Sequence, residues 1–347
     1  MEQTWTLSQR ARSTLRDVAK LAGVSTTTAS LVLTSKGGER RISVETHQKV
    51  KAAAEQLSYS ANLLQRSLRI GRTNVISFFN CYRNRSFGDH YMDGLSTAIE
   101  HAAGAQGFNV LCHCTFEASP EETFASLNGG LADGLILFAP GAKEPLLPML
   151  RNASLPTVLI YPRGQGDFLS VVRGGDERGM KQVADVLASS GHRRIGAVVE
   201  AYDGVFDHMR RLEWLRIHLE PYGQTVIDSH VIEWKGSADD VVSQFLQLSS
   251  RPTALFVWHD RAAYRIVEAC ERLGVLVPHD LSIIGFDGVI WPSTTGHTVD
   301  SARISLEKVG ALAVSLVGRL LAGEPGPLTE EAPVDYLPGT TLKHNVF

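Results

Sequence analysis

Residues 15–34 read LRDVAKLAGVSTTTASLVLT, and the rest of the chain is organised around them. Leu15, Val18, Ala19 and Ala22 recur at helical spacing. Gly23 and Val24 break the period. Ser25 is a good N-cap, and Ala29, Val32 and Leu33 restart it. Two short helices across a tight glycine-containing turn make a helix-turn-helix, whose second helix enters the DNA major groove. Beyond the polar loop KGGERR at 36–41, Ser43 opens a third helix, with Glu45 in its first turn. Val50, Ala54 and Leu57 give that helix an apolar stripe that closes a three-helix core.

The net charge of −3 over 347 residues hides a split. Residues 1–72 hold 12 Lys and Arg against 5 Asp and Glu, whereas the remainder holds 22 against 32. A small basic head on a large acidic body suits a head that meets phosphates. An apolar content of 44% supplies full cores, and the length suits two or three domains. No apolar run approaches the 18 residues a membrane span needs, and MEQTWTLSQRARS lacks an apolar signal core. Cys81, Cys112, Cys114 and Cys270 do not form a disulfide framework in so long a chain. These features read as a reduced, cytoplasmic protein.

From Thr73 the texture changes. Apolar, β-favouring runs at 75–79, 107–111, 133–138 and 156–160 alternate with helical patterns at 91–103 and, more weakly, one closing at 127–131. A second series follows: helices at 178–190, 210–219 and 260–273, with strands at 195–199, 254–258 and 281–286. Two successive α/β lobes with parallel sheets make a cleft between them. The chain crosses back at Arg303 and forms a helix over 306–321.

The chain resembles the lactose-repressor (LacI/GalR) family of bacterial transcription regulators. The likeness rests on TLRDVAKLAGVS at 14–25, SLVL at 30–33, RISVET at 41–46, and Tyr59, Asn62, Arg66, Ser67 and Leu68. It continues through GHRRI at 191–195, PTALF at 252–256 and VPHDLSIIGFD at 277–287. The fold it implies is α/β. An all-α helix-turn-helix head (1–58) and a hinge helix and linker (59–72) precede a two-lobed, periplasmic-binding-protein-like body of doubly wound parallel sheets. The N-lobe is 73–172 with 303–326, and the C-lobe 173–302 with 327–347. The function implied is that of a dimeric regulator, most simply a repressor. It would bind a pseudo-palindromic operator in double-stranded DNA and answer to a small-molecule effector, a sugar or related metabolite. No added leucine-rich helix follows the body, which points to a dimer rather than a tetramer. The resemblance implies no cofactor, metal or membrane.

The DNA-contacting residues expected are Thr14, Ser25, Thr26, Thr27, Ser30 and Leu31 in the head, and Asn62, Arg66 and Leu68 in the hinge. Leu68 is expected to wedge into the minor groove at the operator centre; the alternative is an ordinary linker helix with Leu68 packed on the body. Many members carry Arg where this chain has Leu31, so a bidentate guanine reader is lost. A Thr methyl or a Leu can touch a thymine methyl instead. Ala61 and Gln65 also replace the family's usual Pro and Ala.

For the effector, Arg210 stands 19 residues after Gly191, at the spacing of the family's ligand-gripping Arg. Asp287 ends an apolar strand where open α/β sheets place ligands. His259 stands in place of a usual Asn, and Glu213 in place of a common Gly. Tyr82, Phe87 and Tyr161 are candidates for stacking on a sugar face, with lobe packing as the alternative for the first two.

Other chemistries fail on spacing. There is no phosphate loop, and Gly164-Gln165-Gly166 lacks a third glycine. Cys112, His113 and Cys114 would alternate across a strand, so one tetrahedral site cannot take all three. No catalytic set is legible. The rival from another class is a ligand-binding protein or enzyme that uses the cleft directly.

Overall fold

The structure is a computed structural model that describes residues 13–33, 42–60, 67, 70–81, 88–113, 117–141, 143–162, 168–200 and 208–344. The hinge residues Asn62, Arg66 and Leu68, and the aromatics Tyr82 and Phe87, lie outside the described residues. The chain divides into two units, 1–73 and 74–347.

In the first unit, α1 (Leu15–Ala22) starts from a reciprocal cap. The Asp17 carboxylate accepts from the Thr14 backbone N–H at 2.8 Å and from its hydroxyl at 2.7 Å. The Asp17 N–H donates to the Thr14 hydroxyl at 3.3 Å. Those bonds hold the Asp17 carboxyl below its ordinary range. Gly23 ends α1 at φ 69, a left-handed turn that costs a residue without Cβ little. The Ser25 hydroxyl then caps α2 (Thr26–Leu33), accepting from the Thr28 N–H at 3.1 Å. Ser43 caps α3 (Val44–Gln56) in the same way. Val18, Ala19, Ala29, Val32, Val50, Ala53 and Ala54 form the buried centre of these helices.

The second unit holds two six-stranded sheets. The first contains β1 (Val75–Asn80), β2 (Asn109–Cys112), β3 (Gly134–Phe138), β4 (Thr157–Ile160), β5 (Ser170–Arg173) and the late β11 (Thr329–Glu331). Its order is β11-β5-β4-β3-β1-β2, with every pair parallel. The second contains β6 (Ile195–Glu200), β7 (Val226–Trp234), β8 (Ala254–Val257), β9 (Ser282–Asp287), β10 (Asp300–Ile304) and β12 (Val334–Leu337). Its order is β12-β10-β9-β8-β6-β7, and only β12 runs antiparallel to its neighbour.

Alternate residues of these strands feed opposite cores. Ile76, Phe78, Ile136 and Phe138 enter one cluster, and Phe79, Leu135 and Leu137 another. Both faces of the first sheet are therefore covered, as parallel strands require. The helices between strands are α4 (His90–Ala105), α5 (Pro120–Leu127), α6 (Leu146–Arg151), α7 (Asp176–Ser189), α8 (His208–Leu219), α9 (Ala238–Gln247), α10 (Asp260–Arg272) and α11 (Leu306–Leu321). Among the described residues no helix is long and apolar enough to cross a membrane.

Across the described residues the chain passes between the sheets after β5, after β10 and after β11. The sequence placed the last two passages at 303 and 327. Ile304 still pairs with β12, and Thr329–Glu331 still pairs with β5. The helix expected to close at 127–131 instead ends at Leu127. A capping box between Ser119 and Glu122 sets its start. Gly129 and Gly130 stop it, the latter at φ 82. Cys112 ends edge strand β2 and is exposed, while the His113 ring bonds the buried Ser77 hydroxyl at 2.9 Å.

Candidate functional site

On α2 the phase of the helix separates inside from outside. Ala29 and Val32 are buried, Ser30 and Leu31 are half-buried, and Thr26 and Thr27 are exposed. Ser25 and Thr14 are exposed as well, and both serve as caps. The Ser25 and Thr28 hydroxyls bond each other at 2.8 Å. Thr26 and Thr27 thus present their hydroxyls and methyls on the outer side of the second helix, the side a major groove would receive.

In the second unit, the residues at the carboxyl ends of the parallel strands converge. Tyr161 follows β4, Asp176 opens the helix after β5, His259 follows β8 and Asp287 ends β9. Arg211 of α8 joins them. Its Nε donates to the Asp176 carboxylate at 3.1 Å, and an Nη lies 3.5 Å from Asp287. Another Nη donates to the Trp258 carbonyl, and the guanidinium lies 3.8 Å from the Phe286 ring centroid. Tyr91, near the start of α4, faces this group from the first lobe. Burial, with Tyr161 and Asp287 nearby, pushes its hydroxyl well above the ordinary range. Tyr161 and Asp287 both hold positive φ, 53 and 104. Such backbone persists only where the surroundings over-determine it, and it concentrates at binding sites. At the rim, the His90 ring of α4 meets the Trp291 ring of the other lobe edge-on at 4.9 Å. The Arg261 guanidinium lies 5.2 Å from the same Trp291 ring.

Two groups here have altered protonation. Burial pushes the Asp287 carboxyl up to about 7; Arg211 pulls it back and Asp176 adds to the rise. Burial dominates, and the one guanidinium, shared with Asp176, offsets it only in part. Burial pulls the His259 ring down to about 3, so it is neutral. Its Nδ1 accepts the Ala262 N–H at 2.9 Å, which places the ring proton on Nε2. A measurable consequence follows for Asp287. The folded carboxyl binds its proton more tightly than the unfolded one, whose pKa is about 3.9. Its contribution to stability is therefore full below about pH 4 and is lost as pH rises through about 7. The Asp287→Asn variant should gain Tm relative to the parent chain as pH rises from 4 to 8, by calorimetric melting. A pH-independent difference would refute the raised value.

The structure does not bring Arg210 into this group. Arg210 is exposed and lines a shallow outer pocket with Glu213, Trp214 and Ile217. The helix phase explains this: Leu212, Leu215 and Leu219 are buried, and Arg211 stands one turn before Leu215. That leucine stripe was available in the sequence and points to Arg211. Asp176 and Tyr91 were also missed. Asp176 precedes a helix read as starting at Arg178, and Tyr91 read as an ordinary core position. Asp260, beside His259, is fully buried but structural. Its carboxylate accepts from the Val289 N–H at 2.7 Å and from the Ser301 hydroxyl at 2.7 Å.

Comparisons with known proteins agree with both halves of this description. Residues 14–62 match the family described as bacterial regulatory proteins, lacI family, and residues 184–341 match a periplasmic binding protein-like domain. The HTH-type transcriptional regulator DegA of Bacillus subtilis is 29% identical over 322 residues, covering 90% of this chain and 93% of DegA. The HTH-type transcriptional repressor PurR of Pectobacterium atrosepticum is 30% identical over 312 residues, covering 88% of this chain and 89% of that one. Among solved structures, the Lac repressor dimer bound to operator and the anti-inducer ONPF shares the fold at a TM-score of 0.81. Its identity is 22%, over 95% of this chain and 98% of that one. A complex of the transcriptional regulator CelR with cellobiose aligns at 0.65 and 25% identity, over 95% of this chain and 100% of that one. With a head, a two-sheet body and this extent of similarity to PurR, the chain belongs to the LacI family of DNA-binding transcriptional regulators.

Proposed function

We propose that this regulator is a repressor that binds a pseudo-palindromic operator as a cytoplasmic dimer and is controlled by a sugar in the cleft between its two sheets. Each head places α2 in the major groove of one half-site. Asn62, Arg66 and Leu68 also contact the DNA, Leu68 as a wedge in the minor groove. The observation that carries the effector reading is the Arg211 cluster. Arg211, Asp176 and Asp287 of one lobe face Tyr91 and Tyr161 of the other. A polyhydroxyl ligand held there meets carboxylate acceptors, a guanidinium donor and aromatic faces from both lobes. It therefore stabilises one relative lobe position over another, which is what a ligand must do to shift a population. The CelR structure, with its cellobiose, supports a sugar in this fold. The expected boundaries also stand as proposals: head to 58, hinge 59–72, and two discontinuous lobes.

A thermal-shift screen of the whole chain against mono- and disaccharides tests this reading. A saturating sugar at a hundredfold over its Kd should stabilise the body by about 2.7 kcal/mol. The Arg211→Ala variant should lose that shift. A shift retained in Arg211→Ala would place the ligand elsewhere, and a shift with no change in operator affinity would remove the control.

A further inference from the structure

We infer that Leu31 reads the 5-methyl group of a thymine, so that specificity at one base pair of each half-site rests on apolar contact. This rests on the head being the DNA reader. Four apolar residues lie on α2: Ala29, Leu31, Val32 and Leu33. Ala29 and Val32 are buried in the three-helix core and Leu33 packs against it; Leu31 is half-buried and, among the described residues, is not one of those packed on that core. Leu31 lies four residues after the exposed Thr27, so the two share one stripe of the helix. Beside them the Ser25 and Thr28 hydroxyls are engaged with each other. The helix TTTASLVL carries no guanidinium, ammonium, carboxamide or carboxylate.

The chemistry of the groove then selects the partner. Guanine and adenine are distinguished by bidentate polar contacts, and cytosine offers an amino donor. A leucine pressed on any of those edges desolvates a polar group and returns nothing. Thymine alone among the four bases presents a methyl group there. The Leu31 side chain, with the Thr27 methyl one turn earlier, matches that group.

The test uses the full chain and an operator enriched by it from a pool of random duplexes, with and without a stabilising sugar. Each thymine of the enriched site is then replaced singly by deoxyuridine, which removes only the methyl. One thymine per half-site should cost about fourfold in affinity, the worth of one buried methyl. Leu31→Ala should bind the thymine and deoxyuridine duplexes alike. With cytosine at that position, 5-methylcytosine should bind more tightly than cytosine. Leu31→Arg should move the preference there to guanine. Tolerance of deoxyuridine at every position, or a penalty that persists in Leu31→Ala, would overturn the methyl contact. Failure to enrich any duplex would instead overturn the assignment of the head as the reader.

Discussion

Replacing Asp300 by alanine should lower the unfolding free energy by about 4 kcal/mol, measured by urea unfolding of the whole chain. Asp300 opens β10 and is 1% exposed. Its carboxylate accepts from the backbone N–H groups of Gly339, Thr341 and Leu342, each at 2.9 Å, and from the Tyr336 hydroxyl. Its own N–H donates to the Thr341 hydroxyl, which in turn donates to the Ile283 carbonyl at 2.7 Å. One side chain therefore ties residues 336–342 across the end of the second sheet. Alanine leaves several donors buried without an acceptor, and each costs about 1–3 kcal/mol. Asparagine keeps one acceptor oxygen and should lose clearly less than alanine. A loss below about 1 kcal/mol for alanine would mean that water replaces the carboxylate, and the tie would not be structural.

The second large effect concerns the crossing of α11 on α4. A Cβ added at Gly310 would lie 2.7 Å from the Ala98 carbonyl carbon and 2.8 Å from both the Ala98 Cβ and the Ile99 nitrogen. Two of those three atoms are backbone and cannot step aside. Gly310→Val should therefore separate the helices and cost about 3 kcal/mol or more. Gly94 provides the contrast on the same pair. There the added Cβ would meet only the Leu306 Cδ1, at 2.9 Å, the mobile end of a side chain. Gly94→Ala should cost less than about 1 kcal/mol, helped by the better helix propensity of alanine. Equal losses at both positions would refute the close-approach argument.

These elements also show what periodicity reveals and what it conceals. The helix α11 was legible to the residue, because its apolar stripe is uninterrupted and Ser305 caps it. The break between α1 and α2 is legible as well, in Gly23 and Ser25. The edge strand β7 was not legible. Its sequence VIDSHVIEW exposes residues 227–229, so its burial neither alternates nor runs continuously. The short strands β11 and β12 pair with β5 and β10, far away in sequence, which local patterns cannot supply. The candidate site differs from its expected membership at one point for a related reason, because it is Arg211 that meets Asp176 and Asp287. Counting from Gly191 gave Arg210, but the turn of α8 about its leucine stripe gives Arg211. Spacing along a chain fixes an address only as well as the intervening loop keeps its length.

The three passages of the chain between the sheets have a consequence for synthesis. The first sheet gains its edge strand β11 only after α11, and the second is closed by β12 still later. Until residues 306–337 have left the ribosome, Ile136, Val158 and Val172 lack the helix whose Val314 and Val317 share their core. Neither lobe can mature ahead of the other, and both wait on the same late segment. The head's helices end at Gln56, and among the described residues their core is filled by nothing later than Leu57 and Tyr59. A nascent chain should therefore carry a finished DNA-reading head in front of a body that is still open.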